Sequence, residues 1–252
     1  MKVVFSFDDG RSDSFEAAQI LHKYGLVGTF HVVTGFIDGT FSTDAFGKGR
    51  KSLSVEELLE MRQMGMEISS HGDKHIMDSK DFDTSVKKMI NWKLISDSKV
   101  GFSIPNSNYT KTQLTDFISN CGDSLLYVRA GRSPKCYSFI SKVCYVLYKI
   151  TKGQFFYNKF NKFNLNKSLD TTPMFSAVVK NGIRPKSILK FIDKYSSLDK
   201  TLILMFHSIV DKPTDKWEYS KKNFDIVCKG IDSFSKDGLV KCGTIIDFLD
   251  SK

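Results

Sequence analysis

The chain has 252 residues, 41% of them hydrophobic, with 37 Lys and Arg against 28 Asp and Glu and a formal net charge of +9. The length suits a single large domain of α/β barrel size, and the apolar fraction excludes global disorder. No apolar run reaches the roughly 18 residues of a membrane-spanning helix, no nucleic-acid module or internal repeat is present, and the basic balance reads as a Lys- and Asn-rich solvated surface or, less simply, as a site for anionic partners such as phosphates or a membrane surface.

Five cysteines (Cys121, Cys136, Cys144, Cys228 and Cys242) lack zinc-type spacing and read as reduced thiols. Lys2 is followed at once by Val3-Val4-Phe5, which predicts no export leader and a cytoplasmic protein.

Val3 to Phe7 is a nearly continuous apolar run, as expected of a strand buried on both faces. A helix follows, with Ser12 or Asp13 as its cap, Phe15, Ala18, Ile20, Leu21 and Tyr24 on its apolar face, and Gly25 as its left-handed stop. GTFHVVTG reads as a second strand. SVEELLEMRQMG reads as a helix with Ser54 and Glu57 spaced as a capping box and Gly65 as the stop, and MEISSHG as a third strand. Further helices are expected near 82–96, 111–120, 186–196 and 222–236, and strands near 99–104, 125–129 and 201–206. About seven βα units in parallel order predict a barrel rather than an open sheet. The stretch 135–166 breaks the alternation and is rich in Tyr, Phe and Lys. It reads either as an ordinary barrel helix with a long loop or as an inserted basic-aromatic flap touching a membrane surface or lipid-linked substrate. Tyr137, Ile140, Cys144, Leu147 and Tyr148 would share one helical face. In a flap, Tyr157 and Phe160 would stack on a sugar ring, and Lys152, Lys159 and Lys162 would meet a phosphate.

In a parallel α/β barrel, functional groups gather beyond the C-terminal ends of the strands. Asp8 and Asp9 end the first strand, His71 and His75 follow the third, and His207 ends a strongly apolar late strand. The other two histidines, His22 and His31, fall within a predicted helix and a predicted strand. Two histidines at i and i+4, with a carboxylate from another strand, make an N,N,O metal site with open positions that suits zinc, and also cobalt, nickel or iron.

FDDG, the H-x-x-x-H pair in G-x-E-I-x-x-H-x-x-x-H and a late apolar strand ending in His resemble the polysaccharide deacetylase family, the NodB-homology carbohydrate esterases of family 4, from Ser6 to His207. The resemblance implies a single-domain distorted (β/α)7 barrel over residues 1–252. It also implies Asp9, His71 and His75 as metal ligands, Asp8 as the general base and His207 as the general acid of amide hydrolysis. The two carboxylates would tolerate each other because a divalent cation offsets their charge; without one, one of them is expected to be protonated or turned away.

Two motifs depart from the family. Where its third motif carries an arginine this chain has Ser103, with Asn106 in place of the aromatic, and Arg129, or else Arg132, is expected to substitute from the next strand end. The fourth motif, Asp-x-x-x-Trp in many members, is not recognisable, and neither Trp92 nor Trp217 stands in its context. The implied activity is removal of an N-acyl group, acetyl foremost, from an amino sugar. With no leader, a phosphate-bearing cytosolic sugar nucleotide or lipid-linked sugar of surface-polysaccharide assembly is the expected substrate, with peripheral contact at the inner membrane surface. The rival readings are an N-deformylase or ring-amide hydrolase on the same scaffold, or a sugar-binding protein that has lost catalysis.

Overall fold

The structure is a computed structural model describing residues 1–46, 50–167, 169 and 172–249. The first half of the chain runs β1 (Lys2–Phe7), α1 (Asp13–Lys23), β2 (Gly28–Val32), α2 (Thr34–Ile37), α3 (Val55–Gln63), β3 (Glu67–Ser70), α4 (Ser79–Asn91), β4 (Val100–Ser103), α5 (Lys111–Cys121) and β5 (Leu125–Arg129). The second half runs α6 (Phe139–Thr151), α7 (Gln154–Asn161), β6 (Leu165–Asn166), β7 (Ala177–Val178), α8 (Pro185–Tyr195), β8 (Thr201–Phe206), β9 (Ser208–Val210), β10 (Glu218–Ser220), α9 (Lys221–Lys236) and β11 (Lys241–Cys242).

The main sheet has the order β5-β4-β3-β2-β1-β8, all parallel, and it curls round on itself. Closure comes from the stretch leading into β7. Met174 N–H donates to the Val128 carbonyl (2.9 Å), Ala130 N–H to the Met174 carbonyl (2.8 Å) and Ser176 N–H to the Gly131 carbonyl (2.7 Å). On its other side β7 pairs in parallel with β8. The seventh position of the ring is therefore a two-residue strand, and the fold is a distorted (β/α)7 barrel. β6 runs antiparallel to the start of β8, and β11 pairs with the start of β1.

Strand periodicity divides the core in two. Val3, Phe5 and Phe7 point outward into the cluster shared with the helices, where Phe7 stacks on Phe30 (4.4 Å between centroids) and on Phe206 (5.3 Å). Val4 points inward with Tyr127, Met174, Ile203 and Ile245. The barrel interior is otherwise polar. The Ser6 hydroxyl lies 3.4 Å from His31 Nδ1, His31 Nε2 lies 3.1 Å from the Tyr127 hydroxyl, and that hydroxyl donates to Glu67 Oε1 at 2.6 Å.

Several boundaries differ from expectation for identifiable reasons. Neither Ser12 nor Asp13 caps α1: Ser12 makes no capping bond, and the Asp13 carboxylate accepts the Ile209 N–H (3.1 Å). The Ser54–Glu57 capping box forms as predicted, and Gly25 is left-handed (φ +66°). The helix expected near 82–96 starts earlier because the Asp78 carboxylate caps it, and it ends earlier because Lys93 adopts φ +59°. The expected second strand stops at Val32, where the chain turns into α2.

Residues 135–166 form mainly the helical pair α6–α7, which lies between β5 and β7 and packs on α8. The proposed shared face is corrected: Cys144 and Tyr148 are buried, whereas Ile140 and Tyr137 are exposed. Tyr157 and Phe160 are buried against Tyr148, so they are core residues rather than a sugar-stacking platform. Lys152 donates to the Gly182 carbonyl (3.1 Å), and Lys159 and Lys162 line a separate groove with Lys194 and Tyr195.

Gly101 marks the tightest inward contact, since a Cβ there would stand 1.9 Å from the Tyr127 ring. The Tyr127 hydroxyl is tethered, so the ring cannot swing away freely. Gly101→Ala should lower the unfolding free energy by about 1–3 kcal/mol in urea titration, the usual cost of overpacking. An unchanged midpoint would show that the ring is not held.

Candidate metal centre and catalytic cleft

The same period-2 alternation aims four side chains at one point. Inward Ser6 is followed two residues later by Asp8, Ser69 by His71, Tyr127 by Arg129, and Met205 by His207. Asp8, His71 and His207 stand just beyond the strand ends and line a cleft of about 430 Å³, which also takes in Asp9 and His75; Arg129 lies behind Asp8.

Asp9, His71 and His75 converge. Asp9 Oδ1 lies 3.6 Å from His71 Nε2 and 3.7 Å from His75 Nε2, and the two imidazole nitrogens are 3.2 Å apart. Ligands held tetrahedrally at about 2.0–2.1 Å from zinc stand roughly 3.4 Å from one another, so this triangle fits a divalent ion. Its orientation is built in. His71 Nδ1–H donates to the Ser103 carbonyl (2.8 Å), which leaves the Nε2 lone pair facing the centre. The Asp81 carboxylate accepts the N–H groups of Asp73 (2.8 Å) and Lys74 (3.0 Å) and so shapes the turn that carries His75. Asp9 and His75 both adopt positive φ (+81° and +59°), a strained conformation for residues with side chains.

The adjacent carboxylates are kept apart by two arginines. Arg11 donates to Asp9 Oδ2 through Nε (3.0 Å) and Nη2 (2.9 Å), and it also donates to the Ser208 hydroxyl. Arg129, fully buried, donates to Asp8 Oδ1 and to the Ser103 hydroxyl. Burial alone would raise the Asp8 pKa, but Arg129, with His71, His207 and His31 behind it, outweighs burial and holds the carboxyl well below the usual range. Each aspartate thus has its own guanidinium.

Of the two arginines expected near Ser103, Arg129 is the one on Asp8, whereas Arg132 lies over Tyr145 (5.0 Å) and Phe160 (5.7 Å). His207 lies 4.7 Å, ring to ring, from Trp217, and its buried Nδ1 has no hydrogen-bond partner among the described residues. Burial lowers its pKa, against Asp9 and Asp8, which raise it; burial likewise pushes His71 down to about 4. Sequence reading missed Arg11, which stands two residues after Asp9, and it set aside Trp217, which lines the cleft with Lys180. Lys180 sits over both Tyr145 (5.3 Å) and Trp217 (5.2 Å).

Breaking the Asp8–Arg129 pair from one side leaves a buried charge alone. Arg129→Met should cost about 3–5 kcal/mol of stability, and the double variant Asp8→Asn/Arg129→Met should recover part of it. Additive losses in a double-mutant cycle by chemical denaturation would show the two groups uncoupled.

The polysaccharide deacetylase family model matches residues 1–120. No curated protein matches the sequence. Among solved structures, the chain resembles the Bc1960 peptidoglycan N-acetylglucosamine deacetylase (TM-score 0.54, 11% identity, covering 100% of this chain and 89% of that one). It also resembles a family 4 acetyl xylan esterase from Clostridium thermocellum in complex with a cobalt ion (TM-score 0.51, 15% identity, 98% and 90%). A third similar structure is BA3943, a family 4 pseudoenzyme from Bacillus anthracis (TM-score 0.50, 11% identity, 99% and 65%). The match to the polysaccharide deacetylase family model covers Asp8, Asp9, His71 and His75, and the structural matches show that the whole chain shares the fold of these family 4 structures.

Proposed function

We propose that this protein is a metal-dependent hydrolase that removes an N-acyl group, acetyl foremost, from an amino sugar bearing a phosphate. Fold alone does not carry this reading, since one structural neighbour is a pseudoenzyme. The observation that carries it is the Asp9–His71–His75 triangle set beside a buried, ionised Asp8 and a separate His207 in one cleft. A binding module has no need of a base and an acid beside a metal site.

A divalent ion held by Asp9, His71 and His75, zinc foremost for this donor set and cobalt, nickel or iron by the same chemistry, supplies Lewis acidity to water and to the acyl oxygen. Asp8 takes the proton of the attacking water, and Arg129 fixes the carboxylate in place. His207 delivers a proton to the departing amine. Burial makes its imidazolium a stronger acid than ordinary histidine, and a loosely held proton is readily passed to an amine.

The phosphate rests on Arg132 and Lys180, both at the cleft and both stacked on Tyr145. Neither has a carboxylate partner among the described residues, and Arg132 Nε and Nη2 are buried without hydrogen bonds. Asp215, also at the cleft, is exposed and accepts the Trp217 N–H. A sugar nucleotide or a lipid-phosphate-linked sugar supplies the anion. The cytoplasm is the compartment this reading assigns. All five cysteines are free, and burial pushes the Cys121 and Cys242 thiols up to about 12 and Cys136 up to about 11.

The metal-loaded protein should release acetate from a UDP-N-acetyl sugar or a polyprenyl-phosphate N-acetyl sugar. Asp8→Asn and His207→Ala should each lower turnover by roughly 10²–10⁴ while metal content stays near one equivalent. Formate release from an N-formyl sugar instead would reassign the acyl group. Binding of these sugars with no acyl release would favour the inactive sugar-binding reading.

Arg132→Met/Lys180→Met should raise KM for the phosphate-bearing sugar by at least about tenfold with kcat little changed, the signature of lost binding contacts. An equal rise for the neutral sugar would remove the phosphate from the assignment.

A further inference from the structure

Among the described residues, the helical pair that fills the crossover between β5 and β7 leaves one face of α6 without a partner. Ser141, Cys144 and Tyr148 are its buried residues. At helical spacing away from them stand Phe139, Val143, Val146 and Ile150, joined by Ile140, at exposures of 81%, 39%, 53%, 73% and 72%. Phe155, at the start of α7, adds another at 63%. Scattered exposed apolar residues are ordinary, but four at i, i+4, i+7 and i+11 form a continuous stripe, the pattern of a helix lying on a second apolar phase.

The charge around the stripe names that phase. From Ser124 to Leu169 the chain contains no Asp or Glu and nine Lys and Arg, a number equal to the net charge of the whole protein, +9. Arg129 is buried against Asp8, but Lys135, Lys142, Lys149, Lys159 and Lys162 are exposed. Lys142 and Lys149 fall seven residues apart, along one flank of the stripe. A second copy of the chain docked on this face would bring lysines against lysines, and a neutral partner would leave them uncompensated. A bilayer carrying anionic headgroups accepts the apolar side chains and the flanking ammonium groups together.

We infer that the exposed face of α6, with Phe155 of α7, docks this protein peripherally on an anionic membrane surface. The placement bears on the cleft. Tyr137, which is 55% exposed and two residues before the stripe begins, lines the same cleft as the Asp9–His71–His75 triangle. Docking thus brings the mouth of the cleft close to the headgroups, where the sugar of a lipid-linked substrate stands.

The test is cosedimentation of the full chain with vesicles of phosphatidylcholine containing one quarter phosphatidylglycerol, beside vesicles of phosphatidylcholine alone. The protein should bind the anionic vesicles, and more weakly as salt is raised. Phe139→Ser/Ile140→Ser/Ile150→Ser should weaken binding by at least about tenfold with an unchanged melting temperature, because the replaced side chains touch solvent. Lys135→Gln/Lys142→Gln/Lys149→Gln should weaken binding and flatten its salt dependence. The readout does not pass through catalysis, so an inactive enzyme that binds vesicles would leave the inference standing. No binding by the unaltered chain, or unchanged binding by the apolar variant, would overturn it. So would a dimer in light scattering that the apolar variant dissolves, which would reassign the face to self-association.

Discussion

Two neighbouring carboxylates at the mouth of a barrel have to be buried side by side and face different ways. Each is given its own guanidinium: Asp8 has Arg129 from β5, and Asp9 has Arg11 from the turn after β1. Opposite charge at hydrogen-bond distance is what makes burial of either carboxylate tolerable. The left-handed conformation of Asp9 (φ +81°) then directs it away from Asp8 and toward the two imidazoles. The pairs therefore separate two jobs that adjacent residues could otherwise confuse. One carboxylate is clamped by an arginine on the oxygen that faces the barrel interior, and the other keeps Oδ1 free of its arginine for the metal site.

Arg129 occupies its place because of register. β4 and β5 align Ser103 directly with Arg129, and the guanidinium donates to the Ser103 hydroxyl as well as to Asp8. A small residue at 103 leaves room for the long side chain on the neighbouring strand, so the guanidinium reaches Asp8 from β5. Ser103 also uses its carbonyl to fix the tautomer of His71. One residue thus steadies both Asp8, through Arg129, and His71.

The strands, most helix limits and the metal triangle were legible because they depend on local rules: apolar runs, a capping box, a histidine pair at i, i+4 and the period-2 alternation that carries inward residues past strand ends. What sequence could not show depends on register and closure. Arg129 is preferred to Arg132 from sequence because it directly follows the Leu125–Val128 run, but that its guanidinium reaches Asp8 follows from the β4–β5 alignment. Trp217 reaches His207 through β9 and β10, a short parallel pair with no strong pattern of its own. Tyr157 and Phe160 looked like a ligand platform because aromatic residues among lysines read alike whether they face solvent or a neighbouring helix. Only the packing of α6, α7 and α8 decides the matter.

The orphaned Nδ1 of His207 follows from the same departures. No carboxylate among the described residues pairs with this nitrogen, so only the more distant Asp8 and Asp9 favour its protonated form, against burial. Trp217 packs against the ring and supplies contact but no hydrogen-bond acceptor at Nδ1. The imidazole packs against Trp217 at a tilt of 44°, and burial and the two aspartates act on its proton affinity in opposite directions. Any change in the charge on Asp8 or Asp9 therefore changes the proton affinity of His207 through the field alone, with no bond between them.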